Sequence, residues 1–405
     1  MGPKTALCLS GGGNRAILFH LGALRRLNEL GVLSRVDCIS SVSGGSVVAG
    51  VLAMNWSKLT RSGDVFTNFD QLVAGPLESF VSDDIRTAAL ITGRLDPRNW
   101  LDLIKSGYSA TDLLAEEYDR RLFNGTMLQS LEPTPEFIFC ATNVETGVCW
   151  RFSKKKCGDW VTGFVHDVRL PLSQAIAASS AFTLAFPPLH LRFDASEFEG
   201  GRPELMGEEN VAGCRESVLL TDGGVYDNLG LEPVWKDFGT VYVSDGGMPL
   251  AIDTAVDDGI KGRLARAYDI ASNQELGLRK RLLIARYATE CGPKWPKLQG
   301  AYWGIGTDCD DYPTHQPSGF DKATVELLKK VRTDFNAFTE GERSILQNHG
   351  YVLANAAVLS YAATEPMKGV VFNWPAPGNH PSNKAENAAA LARSHERKVL
   401  RFLTV

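Results

Sequence analysis

Two strand-to-helix crossings within the first 55 residues constrain this chain more than any other feature. Thr5 to Ser10 is a short apolar strand pattern that runs straight into Gly11, Gly12 and Gly13. The segment from Asn14 to Leu30 then sets Ile17, Leu21, Leu24 and Leu27 on one helical face, with Gly31 as the stop. A second apolar strand ends at Ser41-Val42-Ser43-Gly44-Gly45 and enters, without a linker, a helical segment from Gly44 to Met54. That helix is apolar nearly all round, so it is predicted to be buried. Short strands alternating with such helices form a parallel sheet covered on both faces, which makes the framework α/β.

The rest of the chain elaborates this opening. Residues 56–130 read as mostly helical, with breaks at Gly75, Gly93 and Pro97, and are expected to form a cap-like insertion. Strand patterns return at Phe137–Thr142 and Gly147–Phe152, followed by a small-residue helix over Ser173–Ala181 and a polar, Gly-rich loop over Asp194–Ser217. Val218–Thr221 and Thr240–Ser244 are further strands, and each runs into Asp-Gly-Gly. Beyond Asp257 the pattern is mainly helical, interrupted by an aromatic Gly/Pro-rich segment, Cys291–Phe320, that has no assigned element and is placed near substrate access. There is no internal repeat or low-complexity tract. The expected organisation is one domain over 1–405, with a core at about 5–250 and a C-terminal helical elaboration at about 251–405.

Composition narrows the function classes. Lys plus Arg number 42 against 47 Asp plus Glu, and a net charge of -5 argues against a dedicated nucleic-acid binder. No apolar run reaches the ~18 residues of a spanning helix. The N-terminal segment lacks the charged head and apolar stretch of a secretory signal, and the 8 cysteines include no CxxC pair. The expectation is a cytoplasmic protein with reduced thiols and no zinc site, for which peripheral membrane contact stays open.

Three local motifs carry the chemistry. Glycines at a strand end let the backbone approach a ligand, and the helix that follows offers unpaired N–H groups to an anion, whether a phosphate or the oxyanion of an ester intermediate. Gly11, Gly13 and Ala16 also fit the dinucleotide fingerprint G-x-G-x-x-G/A, with Asp37 where a ribose ligand would stand. The sequence Ser41-Val42-Ser43-Gly44-Gly45 is close to the G-x-S-x-G nucleophile elbow. Its first glycine is replaced by Ser41, which leaves Ser41 and Ser46 as rival hydroxyls and a plain Ser/Gly helix cap as the alternative reading. A serine nucleophile needs a base. His20 lies on the apolar face of the first helix and reads as a satisfied core histidine, whereas His166, His190, His315, His349, His380 and His395 share no motif. A carboxylate serves instead if held about 3 Å from the hydroxyl. Asp222, delivered by an apolar strand to Gly223-Gly224, offers one, while the similar Asp245-Gly246-Gly247 reads as a turn.

With Gly11-Gly12-Gly13-Asn14-Arg15-Ala16, Ser43 in its elbow and Asp222-Gly223-Gly224 in this order, the chain resembles the patatin-like phospholipases, serine lipid acyl hydrolases with a Ser/Asp dyad. Ala178-Ser179-Ser180-Ala181, leading to Pro187-Pro188, is similar to the family's small-residue helix before a Phe/Pro turn, so the likeness spans roughly 5–245. It implies a three-layer α/β/α sandwich with a central, mainly parallel sheet and extra helices. It also implies Ser43 as nucleophile, Asp222 as base and the backbone of Gly11, Gly12, Gly13, Asn14 and Arg15 as oxyanion hole. Ser41, Gly45, Gly223 and Gly224 then support the motifs, and the dyad needs no metal or cofactor. The implied substrate is a phospholipid, lysophospholipid or other fatty-acyl ester. Ala16 and Ser41 depart from the glycines common in the family. The basic runs Arg151, Lys154, Lys155, Lys156 and Arg279, Lys280, Arg281 are candidates for anionic headgroups, although each alone reads as solvated charge. Two other classes stay open: a dinucleotide-binding oxidoreductase using Gly11, Gly13 and Asp37, and a catalytically silent lipid-binding regulator of the same fold.

Overall fold

The structure is a computed structural model that describes residues 4–84, 109–392 and 394, apart from 184, 248, 251, 255, 258, 293, 294, 315, 316 and 335. Gly93, Pro97, His315 and His395 lie outside the described residues.

Among the described residues ten strands form one sheet: β1 (Thr5–Leu9), β2 (Cys38–Val42), β3 (Glu136–Asn143), β4 (Cys149–Phe152), β5 (Lys156–Asp159), β6 (Gly163–His166), β7 (Leu189–Arg192), β8 (Ser217–Asp222), β9 (Thr240–Asp245) and β10 (Gln299–Gly304). The order along it is β10-β9-β1-β2-β3-β4-β5-β6. It is parallel from β10 through β3, and antiparallel where β4, β5 and β6 extend it beyond β3. The parallel centre is covered on both faces: every residue of β2 and β9 is buried, as continuous apolar strands under two layers require.

The main helices are α1 (Gly13–Glu29), α2 (Gly44–Asn55), α3 (Gly75–Ser82), α4 (Ala110–Tyr118), α5 (Leu172–Ser179), α6 (Ile260–Ala288), α7 (Lys322–Lys329), α8 (Glu340–Tyr361) and α9 (Lys384–Leu391). Alternation along the strands sorts them into layers. Leu7, Leu9 and Ile39 face α1, α2 and α8 in one large core. Ala6, Cys8, Cys38, Val42, Val241 and Val243 face the other way, onto Leu229, Leu231, Val234 and Leu283 of α6. The result is a three-layer α/β/α arrangement around a central, mostly parallel sheet. Apolar residues of α3 and α4, including Leu77, Phe80, Leu114 and Tyr118, pack into the same core as α1 and α2.

Periodicity missed several strands. The aromatic segment 291–320 supplies β10, the outer parallel strand, whose Trp303 is buried in the main core. Its Trp295 packs edge-to-face on Trp235 at 5.3 Å, which ties the segment to the second core. Gly300 at φ 121 and Gly304 at the two ends of β10 thin the β-branched signal that marks a strand. All eight cysteines are free thiols. Among the described residues no helix is long and apolar enough to cross a membrane.

Candidate active site

The register of β3 brings the site together. On one edge β3 pairs with β2 as far as Val42 opposite Cys140. On that same edge β8 then takes over, with Asp222 opposite Ala141, because β4 already occupies the other edge. β2 and β8 therefore meet end to end along one strand, and Ser43, the next residue after Val42, arrives beside Asp222. The Ser43 hydroxyl stands near enough to the Asp222 carboxylate to favour its ionised form.

Ser43 is the sharp corner between β2 and α2. Its φ of 51° and ψ of -120° fall in a region that side chains rarely occupy, a strained conformation of the kind that persists only where surrounding structure holds it. The corner works because α2 approaches the neighbouring strand closely: a Cβ on Gly45 would stand 2.4 Å from the Leu9 carbonyl oxygen. Ser179, at the end of α5, fixes the turn from outside. Its Oγ accepts the Ser43 N–H at 2.9 Å and donates to the Cys140 carbonyl at 2.6 Å. The rival hydroxyls point into the protein. Ser46 Oγ donates to Ser41 Oγ at 3.0 Å, Ser41 Oγ donates to the Ile138 carbonyl at 3.2 Å, and both residues are fully buried.

Asp222 is held with equal care. Its N–H donates to the Ala181 carbonyl at 3.0 Å, and its own carbonyl accepts from Thr142 Oγ1 at 2.9 Å. The Gly224 N–H donates to Oδ1 at 2.7 Å, and the Gly223 N–H reaches the Ser179 carbonyl at 3.3 Å. Burial pushes the carboxyl up to about 6, against the opposing pull of the Gly224 N–H and the Ser43 hydroxyl. Burial raises two phenols nearby, Tyr118 at the end of α4 and Tyr268 on α6, and the Asp222 charge adds to the shift of each. Ser43 is 7% and Asp222 5% exposed, so the pair sits beneath the surface between these elements.

The glycine run lies against the same pair. A Cβ on Gly11 would come within 3.2 Å of Ser43 Cβ and 2.3 Å of Asn228 Oδ1, while the Gly11 N–H is held by the Asn228 carbonyl at 3.1 Å. Gly12 has a φ of 140°, open in practice only to glycine, and it turns the chain into α1, which starts at Gly13. The first-turn amides of α1 have no carbonyl one turn behind them to bind. Side chains brace this loop from below. Arg15 is fully buried, its Nε and Nη2 donating to the Gly246 carbonyl at 3.1 and 2.9 Å and its Nη1 to the Val331 carbonyl at 2.9 Å. Burial lowers its guanidinium to about 10, opposed by the Asp245 charge, so it stays charged. Asn14 Nδ2 donates to the Asn336 carbonyl at 3.0 Å.

Other sequence candidates lie elsewhere. His20 donates from Nε2 to the Ser10 carbonyl at 2.9 Å and accepts at Nδ1 from Ser244 Oγ at 2.8 Å, and burial drives it down to about 4: a satisfied core histidine. His349 is likewise buried on the Ile305 carbonyl, and His166, His190 and His380 lie with Glu199, Ser217 and Ser382. Asp245 accepts from Tyr302 Oη at 2.7 Å and from the Gly247 N–H at 2.9 Å, which is the turn its sequence suggested. Asp37 contradicts the dinucleotide reading. It precedes β2 and accepts the Thr5 N–H at 2.7 Å, at the end of the sheet opposite Gly11, about 15 Å away along a five-residue parallel strand. The basic runs turn mostly inward: Lys154 Nζ donates to the Leu131 carbonyl at 2.5 Å, Lys156 lies over Phe164, and Arg279 pairs with Glu232 at 2.9 Å and Asp227 at 3.7 Å. Ser179 and Asn228 took on roles that sequence reasoning did not give them. Their signals were the Ala-Ser-Ser-Ala run and the polar tail of the Asp222 segment. Among the described residues no cluster of His, Cys, Asp or Glu is arranged to hold a metal.

Solved structures similar to the chain include human GIVD cytosolic phospholipase A2, at 13% identity and a TM-score of 0.46, over 98% of this chain and 63% of that one. VipD from Legionella pneumophila is similar at 16% identity and a TM-score of 0.35, over 87% of this chain and 66% of that one. The chain thus spans less than two thirds of the length of the human phospholipase. A search of curated proteins gave no match. The profile described as "Patatin-like phospholipase" matches residues 7–235, more than half of the chain and all three of the motifs that meet at Ser43. The chain belongs to the patatin-like phospholipase family.

Proposed function

We propose that this protein is a lipid acyl hydrolase of the phospholipase A or lysophospholipase type, cleaving the carboxylic ester of a phospholipid or related fatty-acyl lipid at a Ser43/Asp222 dyad. The observation that carries the reading is the meeting of Ser43, on a strained elbow, with the buried Asp222 at the adjoining ends of β2 and β8, with the glycine loop alongside. Asp222 takes the Ser43 proton as Oγ attacks the ester carbonyl. The carbonyl's π electrons move to its oxygen, and that oxyanion is held by the amides of Gly12 and Gly13 at the N-terminus of α1, while the Gly11 amide stays with Asn228. The intermediate collapses with loss of the alcohol, which leaves with the proton from Asp222. Water then repeats the sequence on the acyl-enzyme, giving up its proton to Asp222 and releasing the fatty acid and Ser43. A carboxyl near 6 suits both halves, since it is ionised enough at neutral pH to accept a proton and acidic enough afterwards to return it.

In this reading the whole chain works as one unit, metal-independent, meeting its substrate at a membrane or micelle surface. A fluorophosphonate probe tests it: the full chain is labelled once, peptide mass places the adduct on Ser43, and Ser43→Ala is not labelled. Labelling at another residue refutes the dyad, and a folded, unlabelled wild type favours the silent lipid-binding alternative.

A further inference from the structure

Helix α6 is built in reverse on its outer side. Its inner side is anchored: Arg279 pairs with Glu232 at 2.9 Å and lies over the rings of Tyr226 and Trp235, Leu283 is fully buried, and Arg286 donates to the Pro296 carbonyl at 3.0 Å. The outer side carries Ile260, Leu264, Ile270, Leu278 and Ile284, which are 70%, 66%, 44%, 60% and 46% exposed. Ile260, Leu264, Ala267, Ala271 and Leu278 recur at helical spacing and make an apolar stripe, interrupted by Gln274, along a helix about 43 Å long.

Charge on the same helix selects the partner. α6 holds seven Lys and Arg against two acids, in a chain whose net charge is -5. Its exposed charges are Lys261, Arg263 and Arg281, whereas both acids, Asp269 and Glu275, are half-buried. An exposed face of apolar and cationic side chains with no fully exposed acid is complementary to an anionic lipid surface: apolar side chains enter the acyl boundary and the cations stay among headgroup phosphates. The helix also passes beside the dyad, since Tyr268 packs on Phe182 with ring centroids 6.2 Å apart, next to the Ala181 whose carbonyl holds the Asp222 N–H.

We infer that the outer face of α6 is the surface by which this protein lies on anionic lipid. The inference draws its purpose from the hydrolase reading, while the surface itself stands on α6 alone. The test separates the two. The full chain carrying Ser43→Ala is mixed with vesicles of phosphatidylcholine, with and without phosphatidylglycerol, and bound protein is measured by flotation. It binds the phosphatidylglycerol vesicles, and added salt weakens the binding. Leu264→Glu with Leu278→Glu lowers the affinity at least about tenfold. In the otherwise wild-type chain this pair leaves hydrolysis of a water-soluble butyrate ester unchanged, which also reports that the chain is folded. Undiminished vesicle binding by the pair overturns the inference, as does failure of the parent to bind. Sedimentation velocity showing a dimer that the pair breaks overturns it in favour of a second copy on this face. An absence of butyrate hydrolysis in the wild type sinks the hydrolase reading and leaves the vesicle result to stand by itself.

Discussion

Replacing Asp222 by Asn removes one charge and no volume, and the site predicts two opposite consequences. The carboxyl is buried, and its ordinary value of 3.8 is raised to about 6. A group whose folded value is raised contributes most below its unfolded value, and that contribution is lost as pH rises through the folded one. Below about pH 4 the carboxyl is neutral folded or unfolded, and wild type and variant are equally stable. Between about pH 4 and 6 the wild type increasingly bears a buried charge. Above that window the charge costs about 3 kcal/mol, the free energy that separates a carboxyl titrating at 3.8 from one titrating at about 6. Asn keeps the acceptor for the Gly224 N–H and a partner for the Ser43 hydroxyl, so Asp222→Asn is expected to raise Tm at pH 8 and to leave it unchanged near pH 4. Asn cannot take a proton, so turnover of a soluble ester falls on the order of a thousandfold. The assays are thermal unfolding by circular dichroism across this pH range and butyrate ester hydrolysis at pH 8. A variant no more stable at pH 8 than at pH 4 relative to wild type, or one that keeps its turnover, would refute the idea that burial of the base both costs stability and supports catalysis.

Substitutions at two other positions have outcomes set by the same geometry. Ser43→Ala and Ser43→Gly both abolish fluorophosphonate labelling, but they separate in stability: glycine accepts φ 51°, ψ -120° without strain, so the Gly variant is more stable than the Ala variant by on the order of 1 kcal/mol, the reverse of the usual ranking, as urea midpoints will show. Asp245→Asn retains ester hydrolysis close to wild type, because Asp245 binds Tyr302 and its own Gly247 turn rather than Ser43, and a steady-state assay that found it inactive would reopen the choice of base.

What could be seen in the sequence was whatever a local segment determines by itself. The strand–glycine–helix opening, the elbow at Ser43 and the Asp222 turn are each fixed by neighbours within a few residues, and each was legible with boundaries correct to a residue or two. What depends on distant partners was not legible. Ser179 reads as one more small residue in an alanine-rich helix, and only the fold puts its hydroxyl between the Ser43 amide and the Cys140 carbonyl. Asp37 fitted a dinucleotide fingerprint by spacing alone, since spacing does not say at which end of a strand a residue stands. The cluster Arg279-Lys280-Arg281 looked like one basic patch, yet a helix sends its members in different directions, Arg279 into a carboxylate nest, Lys280 over Tyr302 and Arg281 to solvent.

The end-to-end meeting of β2 and β8 along β3 makes that one strand a ruler for the dyad. Ser43 and Asp222 stand at adjoining graduations, Cys140 and Ala141, and a slip of one residue in β8 would carry Asp222 to the opposite face of the sheet. Strands β5 and β6 and the loops joining them hang outside the measurement, whereas α5 and the turn after it, which follow them, grip both marks through Ser179 and Ala181. The excursion before α5 is free to lengthen, shorten or be exchanged for another without moving the two reacting atoms apart, so long as Asp222 returns to Ala141. The fold thus leaves one large, replaceable region for change beside a centre whose spacing is set once.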